Sequence, residues 1–195
     1  MICLNDKRLL ILIEKNNKIM KKKALIITGR LAQDHEFIYP FYRLKEENYE
    51  VFTAVKEKKI VLGYFGTKIP PQKDDKIIGT DDILEKDFDL LILPGGVKAM
   101  EHVRLDKKVI ECIKEFNKKN KTIGAICSAA MLLISANIIK NRKVSGYYAW
   151  KDDINNAGGI FTDQPCVIDN NLVTSPHYRY NGQWMKGVIE VEKKK

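Results

Sequence analysis

The chain of 195 residues, 45% hydrophobic and 30% charged, is long enough to bury a full core and fits one globular domain. Its longest apolar runs, Leu9–Ile13 and Ala129–Ile134, fall far short of the roughly 20 residues that cross a bilayer. The first twenty residues carry no small-residue cleavage site, so a cytoplasmic protein with no membrane partner is expected.

The net charge of +9 arises from lysines interleaved with acids, as in Lys56-Glu57-Lys58-Lys59, and only Lys21–Lys23 and Lys193–Lys195 form blocks. Such a pattern gives a nucleic-acid partner little support. Residues 1–20 are unlike the rest of the chain, and Met20 opens a second candidate start. They read as an extension, disordered or belonging to a misassigned start, with an added edge strand at Leu9–Ile13 as the alternative. Residues 21–195 read as a single domain.

Ala24–Thr28 is a compact apolar run closed by Gly29, the pattern of a strand buried on both faces. The spacing of Phe37, Tyr39, Phe41 and Leu44 predicts a helix over 34–47, in which Pro40 must occupy an early turn or impose a kink. A strand follows at Tyr49–Val55, then a hairpin-like excursion over 60–69 containing Gly63 and Gly66. Asp89–Leu93 is a buried strand stopped by Pro94-Gly95-Gly96. A helix over 107–119 leads into a strand at Thr122–Ile126, then Cys127 and a helix to about Asn137. Beyond it are a short strand near 143–145, a helix near 150–157, a hairpin turning at Asp169-Asn170-Asn171, and a C-terminal helix. This alternation predicts an α/β fold: a flavodoxin-like doubly wound, mostly parallel sheet with helices on both faces.

In such a sheet functional groups gather at the carboxyl ends of the strands. Gly29–Glu36, Pro94-Gly95-Gly96 and Ile126-Cys127-Ser128 should meet there. The last reads as strand, sharp turn and helix, the plan of a nucleophile elbow. A cysteine at a helix start lies in the positive end of the dipole, where free N–H groups would lower its pKa and favour the thiolate. A buried structural cysteine is the alternative. The Pro-Gly-Gly turn reads either as a tight turn or as an oxyanion site. Glu36 is either a favourable carboxylate in a first helical turn or, if aimed at Cys127, a proton carrier with a raised pKa. The cysteines at 3, 112, 127 and 166 include no Cys-x-x-Cys pair, and His35, His102 and His177 lack ligand spacing. Reduced thiols and no metal are therefore expected. No Gly-x-x-x-x-Gly-Lys or Gly-x-Gly-x-x-Gly motif is present, so no nucleotide cofactor is expected.

Six segments then carry a family resemblance: Glu36-Phe-Ile-Tyr-Pro40, Arg43-Leu-Lys-Glu-Glu47, Leu93-Pro-Gly-Gly96, Val103-Arg-Leu105, Ala125-Ile-Cys127 and Lys151-Asp-Asp-Ile-Asn-Asn-Ala-Gly158. Their order and spacing, from about Lys22 to the C-terminus, resemble the ThiJ/PfpI family. That superfamily includes intracellular proteases, glutathione-independent glyoxalases, proposed protein deglycases and the parkinsonism-associated deglycase. The resemblance implies a class I glutamine-amidotransferase-like fold, no cofactor, and a homodimer or hexamer. It casts Cys127 as the reactive cysteine strained at the elbow and Glu36 as the carboxyl bonded to its sulfur. Gly95, Gly96 and Ser128 become backbone oxyanion donors. Glu101 falls near an acidic residue that protease-like members offer to a neighbouring subunit.

Departures from the family pattern narrow the reading. Ser128 stands where protease-like members place a histidine directly after the cysteine, and Tyr147 stands near a position where some members supply a pocket histidine. Ala129-Ala130 replace the usual Gly-Pro pair and are expected to reshape the pocket wall. His177, after Thr174-Ser175-Pro176, reads first as a surface-loop histidine, with an approach to the site as the alternative. The resulting expectation is an enzyme acting on small reactive carbonyls or on their adducts with protein, through Cys127 and Glu36. A cysteine peptidase and a redox sensor based on Cys127 oxidation are the alternatives.

Overall fold

The computed structural model of the protein describes residues 21–195, so the extension and the edge strand weighed at Leu9–Ile13 lie outside the described residues. The strands, in chain order, are β1 (Lys23–Ile27), β2 (Glu50–Ala54), β3 (Val61–Leu62), β4 (Lys68–Ile69), β5 (Lys76–Ile78) and β6 (Leu90–Leu93). They continue with β7 (Thr122–Ile126), β8 (Lys143–Val144), β9 (Ile160–Phe161), β10 (Val167–Asp169) and β11 (Leu172–Ser175). Seven of them form one sheet in the order β10-β11-β7-β6-β1-β2-β5. Every pairing in it is parallel except β10 with β11. The apolar runs of β1, β6 and β7 are explained by this order: they are the central strands, covered on both faces, and register sets Leu25 beside Leu91 and Phe52.

The helices are α1 (Asp34–Glu46), α2 (Val97–Val103), α3 (Lys107–Lys118), α4 (Ala130–Ser135), α5 (Lys151–Asn156) and α6 (Asn181–Glu192). α1 and α6 pack together over β2, β7 and β11, while α2, α3 and α4 form a second group against β7. The spacing of Val109, Cys112, Ile113 and Phe116 turns one face of α3 to the core, and Asp106 caps its start by accepting from the Lys108 N–H at 3.0 Å. On α6, Trp184 is fully buried and its indole N–H donates to the Val173 carbonyl at 3.1 Å. Pro40 is the seventh residue of α1, so the Glu36 carbonyl loses its helical donor one turn into the helix. The short β5, β9 and α2 carry too few residues to show a period, and the sequence did not predict them. No helix among the described residues is long and apolar enough to cross a membrane.

The β3–β4 hairpin lies outside the sheet and is tied to the start of α1. Buried Asp34 accepts from the N–H groups of Phe65 (2.8 Å) and Thr67 (3.0 Å). The backbone adds Leu31 N–H to Leu62 O at 2.8 Å and Tyr64 N–H to Ala32 O at 2.9 Å. Burial alone would raise the Asp34 carboxyl, but these amides outweigh it and hold it below its ordinary value. This depressed pKa contributes stability that is present at neutral pH and lost as pH falls through the folded value. Asp34→Ala should cost about 1.5–3 kcal/mol in urea unfolding, the range for a hydrogen bond to a charged group. Amide exchange at Phe65 and Thr67 should rise with it; unchanged protection there would show that the hairpin has another anchor.

Candidate active site

β1, β6 and β7 are neighbours, so the segments leaving their carboxyl ends converge. Glu36 comes from the first turn of α1, Gly95 and Gly96 follow β6, and Cys127 follows β7. Cys127 has φ 59°, a left-handed conformation that costs a non-glycine residue on the order of 1–3 kcal/mol. Its carbonyl is fixed from two sides, by the N–H of Ala130 and by that of Tyr147 at 3.3 Å. The elbow is thereby held by elements on either side of the turn.

Gly95 occupies the crowded centre of this arrangement. A Cβ there would stand 2.5 Å from Glu36 Oε2, 2.8 Å from Cys127 Cβ and 2.9 Å from the Ile126 carbonyl. The Gly95 N–H donates to Glu36 Oε2 at 2.9 Å. This corrects the expectation that Gly95 is an oxyanion donor: its N–H is already engaged in fixing Glu36. Gly96, at φ 101°, passes so close to the Gln33 backbone that a Cβ would lie 2.5 Å from Gln33 N. Its own N–H has no acceptor among the described residues.

Glu36 is fully buried. Burial raises its carboxyl to about 7, against partial opposition from the Cys127 thiol and the Gly95 and Tyr178 amides. Neither the thiol nor Tyr178 completes a well-formed hydrogen bond to Oε1, which has no partner among the described residues. The Cys127 thiol is pushed up to about 12, first by burial and then by the Glu36 charge. The sequence led to the opposite expectation, a thiolate favoured by a helix dipole. The helix is too little to supply it: Cys127 opens a single 3₁₀ turn followed by the six-residue α4, and a carboxylate stands alongside. The Ser128 hydroxyl, 3.8 Å from the sulfur, offsets only part of this.

These groups face a cavity of about 370 Å³. Of the residues singled out from sequence, Cys127, Glu36, Gly96, Ser128, Tyr147 and His177 line it. Glu101 does not; it pairs with Lys98 at 3.0 Å on the exposed side of α2. Ala129 and Ala130 are buried behind the elbow and form no part of the wall, contrary to expectation. Leu31, Gln33, Tyr64, Val97, Lys98 and Tyr178 complete the lining and were not singled out. Gln33 carried one usable signal, its place just before the acidic first turn of α1, where its side chain accepts from the His35 N–H as an N-cap. A wider groove of about 1260 Å³ runs along the outer face of α1 past Tyr39 and Tyr42, but it holds no cysteine. Among the described residues no cluster of His, Cys, Asp and Glu could hold a metal ion.

Residues 22–191 match the DJ-1/PfpI family. The chain belongs to that family. It is 36% identical over 171 residues to "Deglycase PfpI" of Pyrococcus furiosus, covering 88% of this chain and 99% of that protein. It is 33% identical over 157 residues to "Putative cysteine protease YraA" of Bacillus subtilis, covering 80% and 89%. Among solved structures, the ThiJ/PfpI domain protein of Brachyspira murdochii superposes with a TM-score of 0.81 at 16% identity, covering 90% of this chain and 99% of that one. Drosophila melanogaster DJ-1beta gives 0.76 at 22% identity, covering 90% and 97%, so the DJ-1/PfpI fold is shared well beyond the range of sequence likeness.

The carboxyl of Glu36 has a stability consequence. A folded pKa of about 7 against an ordinary 4.5 means that the native state holds a proton which the unfolded chain has released. The penalty is absent below the unfolded value, grows between the two, and is complete above pH 7 at on the order of 3 kcal/mol. Glu36→Gln should therefore stabilise the protein at pH 8 and have little effect at pH 4, as read by urea unfolding. The same change should move the pH midpoint of Cys127 alkylation downward, because the repelling charge is gone. A midpoint that stays put or rises would contradict the assigned coupling.

Proposed function

We propose that this DJ-1/PfpI protein acts on small reactive carbonyls, or on the adducts they form with protein, through Cys127 and Glu36. The observation that carries the reading is that a strained, half-buried cysteine and a buried, unpartnered carboxyl oxygen line one small cavity together. The deglycase names of similar proteins support it.

With a 2-oxoaldehyde, Glu36 as carboxylate takes the thiol proton while the sulfur attacks the aldehyde carbon. The new oxyanion recovers a proton and leaves a hemithioacetal. Glu36 then removes the hydrogen on that carbon and returns a proton to the adjacent carbonyl carbon, while the proton of the hemithioacetal hydroxyl passes to the former ketone oxygen, which converts the adduct into a thioester of a 2-hydroxy acid. Water cleaves the thioester, so one aldehyde and one water give one 2-hydroxy acid and regenerate the thiol. A carboxyl titrating near 7 suits this shuttle, since it can both accept and release a proton at neutral pH. The raised thiol pKa argues against a standing thiolate and for activation by proton transfer once substrate is bound.

The test is conversion of methylglyoxal to lactate by wild type and Cys127→Ser, with release of a glycated peptide and cleavage of an unmodified peptide measured alongside. Cys127→Ser should abolish carbonyl turnover, and Glu36→Gln should lower it about 10²–10⁴-fold, the usual worth of a positioned acid–base group. Carbonyl turnover that survives Cys127→Ser would sink the proposal. Cleavage of the unmodified peptide in its place would favour the peptidase.

A further inference from the structure

We propose that His177 donates an Nε2–H hydrogen bond to the carbonyl oxygen of the substrate, serving as an electrophile and not as a base. The inference rests on the carbonyl reading above and gives its site a second donor beside the one N–H that the Pro-Gly-Gly turn leaves free.

His177 follows Pro176 at the end of β11, the strand beside β7, and its ring lines the cavity together with Cys127, Ser128 and Gly96. It begins a single 3₁₀ turn, and its Nδ1 accepts the Arg179 N–H at 3.2 Å. A ring nitrogen that accepts an amide hydrogen must present a lone pair, so a neutral imidazole here carries its proton on Nε2. Burial, with a smaller effect of the Arg179 charge, lowers the pKa of the ring and favours that neutral form. The ring lies 4.0 Å from Tyr178 and 6.4 Å from Tyr147 between centroids. Its Nε2 has no hydrogen-bond partner among the described residues.

The need for such a donor follows from Gly95. Its N–H is bound to Glu36, which leaves the turn with the Gly96 N–H alone. In the proposed reaction the ketone oxygen gains negative charge as Glu36 removes the neighbouring C–H proton. A fixed neutral donor stabilises that charge without first having to lose a proton itself. A base at this position would need a free lone pair on Nε2, which the bond from Arg179 to Nδ1 rules out for the neutral ring.

Steady-state kinetics with methylglyoxal on His177→Ala, His177→Gln and Cys127→Ser provide the test, with ¹⁵N NMR of the wild-type imidazole. His177→Ala should lower kcat about 10²-fold with little change in KM, as for loss of one oxyanion donor, whereas His177→Gln, which keeps an N–H, should stay within about tenfold of wild type. The NMR should show Nε2 protonated and Nδ1 bare at pH 7. Wild-type kcat in His177→Ala, equal losses in the Ala and Gln variants, or a proton on Nδ1 at pH 7 would each overturn the inference. If Cys127→Ser is inactive while His177→Ala is unimpaired, only the role of His177 falls. If Cys127→Ser keeps its turnover, or wild type shows none, the carbonyl reading falls and takes this one with it.

Discussion

Three neighbouring strand ends close on one another at Gly95 with no space for a side chain, and the chemistry of the protein follows from that crowding. Because β6 leaves only backbone at this point, the carboxyl of Glu36 and the elbow of Cys127 can both press against it. The same backbone supplies the N–H that fixes one carboxyl oxygen, and the other is left free on the side of the cysteine. Neither residue could reach this geometry from a single loop. Each is delivered by a different strand, and the parallel register of β1, β6 and β7 sets their separation.

This arrangement works against stability. A left-handed non-glycine residue, a buried carboxyl and an unpartnered oxygen each cost free energy, and the thiol beside them resists ionisation. The cost is tolerated because Ala24–Ile27, Leu90–Leu93 and Ile123–Ile126 of the strands beneath are apolar and buried, with Trp184, Phe37 and Phe116 packed in the same core. With the thiol pushed up to about 12, little thiolate exists at neutral pH. A cysteine of this kind is shielded from indiscriminate alkylation in a way that a permanently ionised one is not.

Much of this could be read from the residues. The apolar runs Ala24–Thr28, Asp89–Leu93 and Thr122–Ile126 are distinctive because central parallel strands are buried on both faces, and their order gave the doubly wound sheet. Cys127 and Glu36 could be named because motifs lie next to them. The electrostatics could not be read, since a pKa depends on burial and on the neighbour across the turn, neither of which is local. The engagement of Gly95 with Glu36 was hidden for the same reason, as it joins residues 59 positions apart. His177 looked like an ordinary loop histidine because nothing in Thr174-Ser175-Pro176 reveals that β11 ends beside the elbow strand. The remaining wall residues, such as Tyr64 and Lys98, have no pattern that separates them from any exposed residue of their type.

The anchoring of the hairpin by Asp34 has a mechanical meaning. Asp34 and Glu36 are two residues apart in the first turn of α1, one holding the β3–β4 hairpin that brings Tyr64 to the cavity and the other reaching the cysteine. The outer wall and the Glu36 carboxyl are thus indexed to the same short piece of rigid backbone. Any tilt of that helix start carries both with it, so the distance between the Tyr64 wall and the Glu36 carboxyl is preserved. Side chains can therefore vary along the hairpin tip while the spacing from the hairpin to the Glu36 carboxyl stays constant.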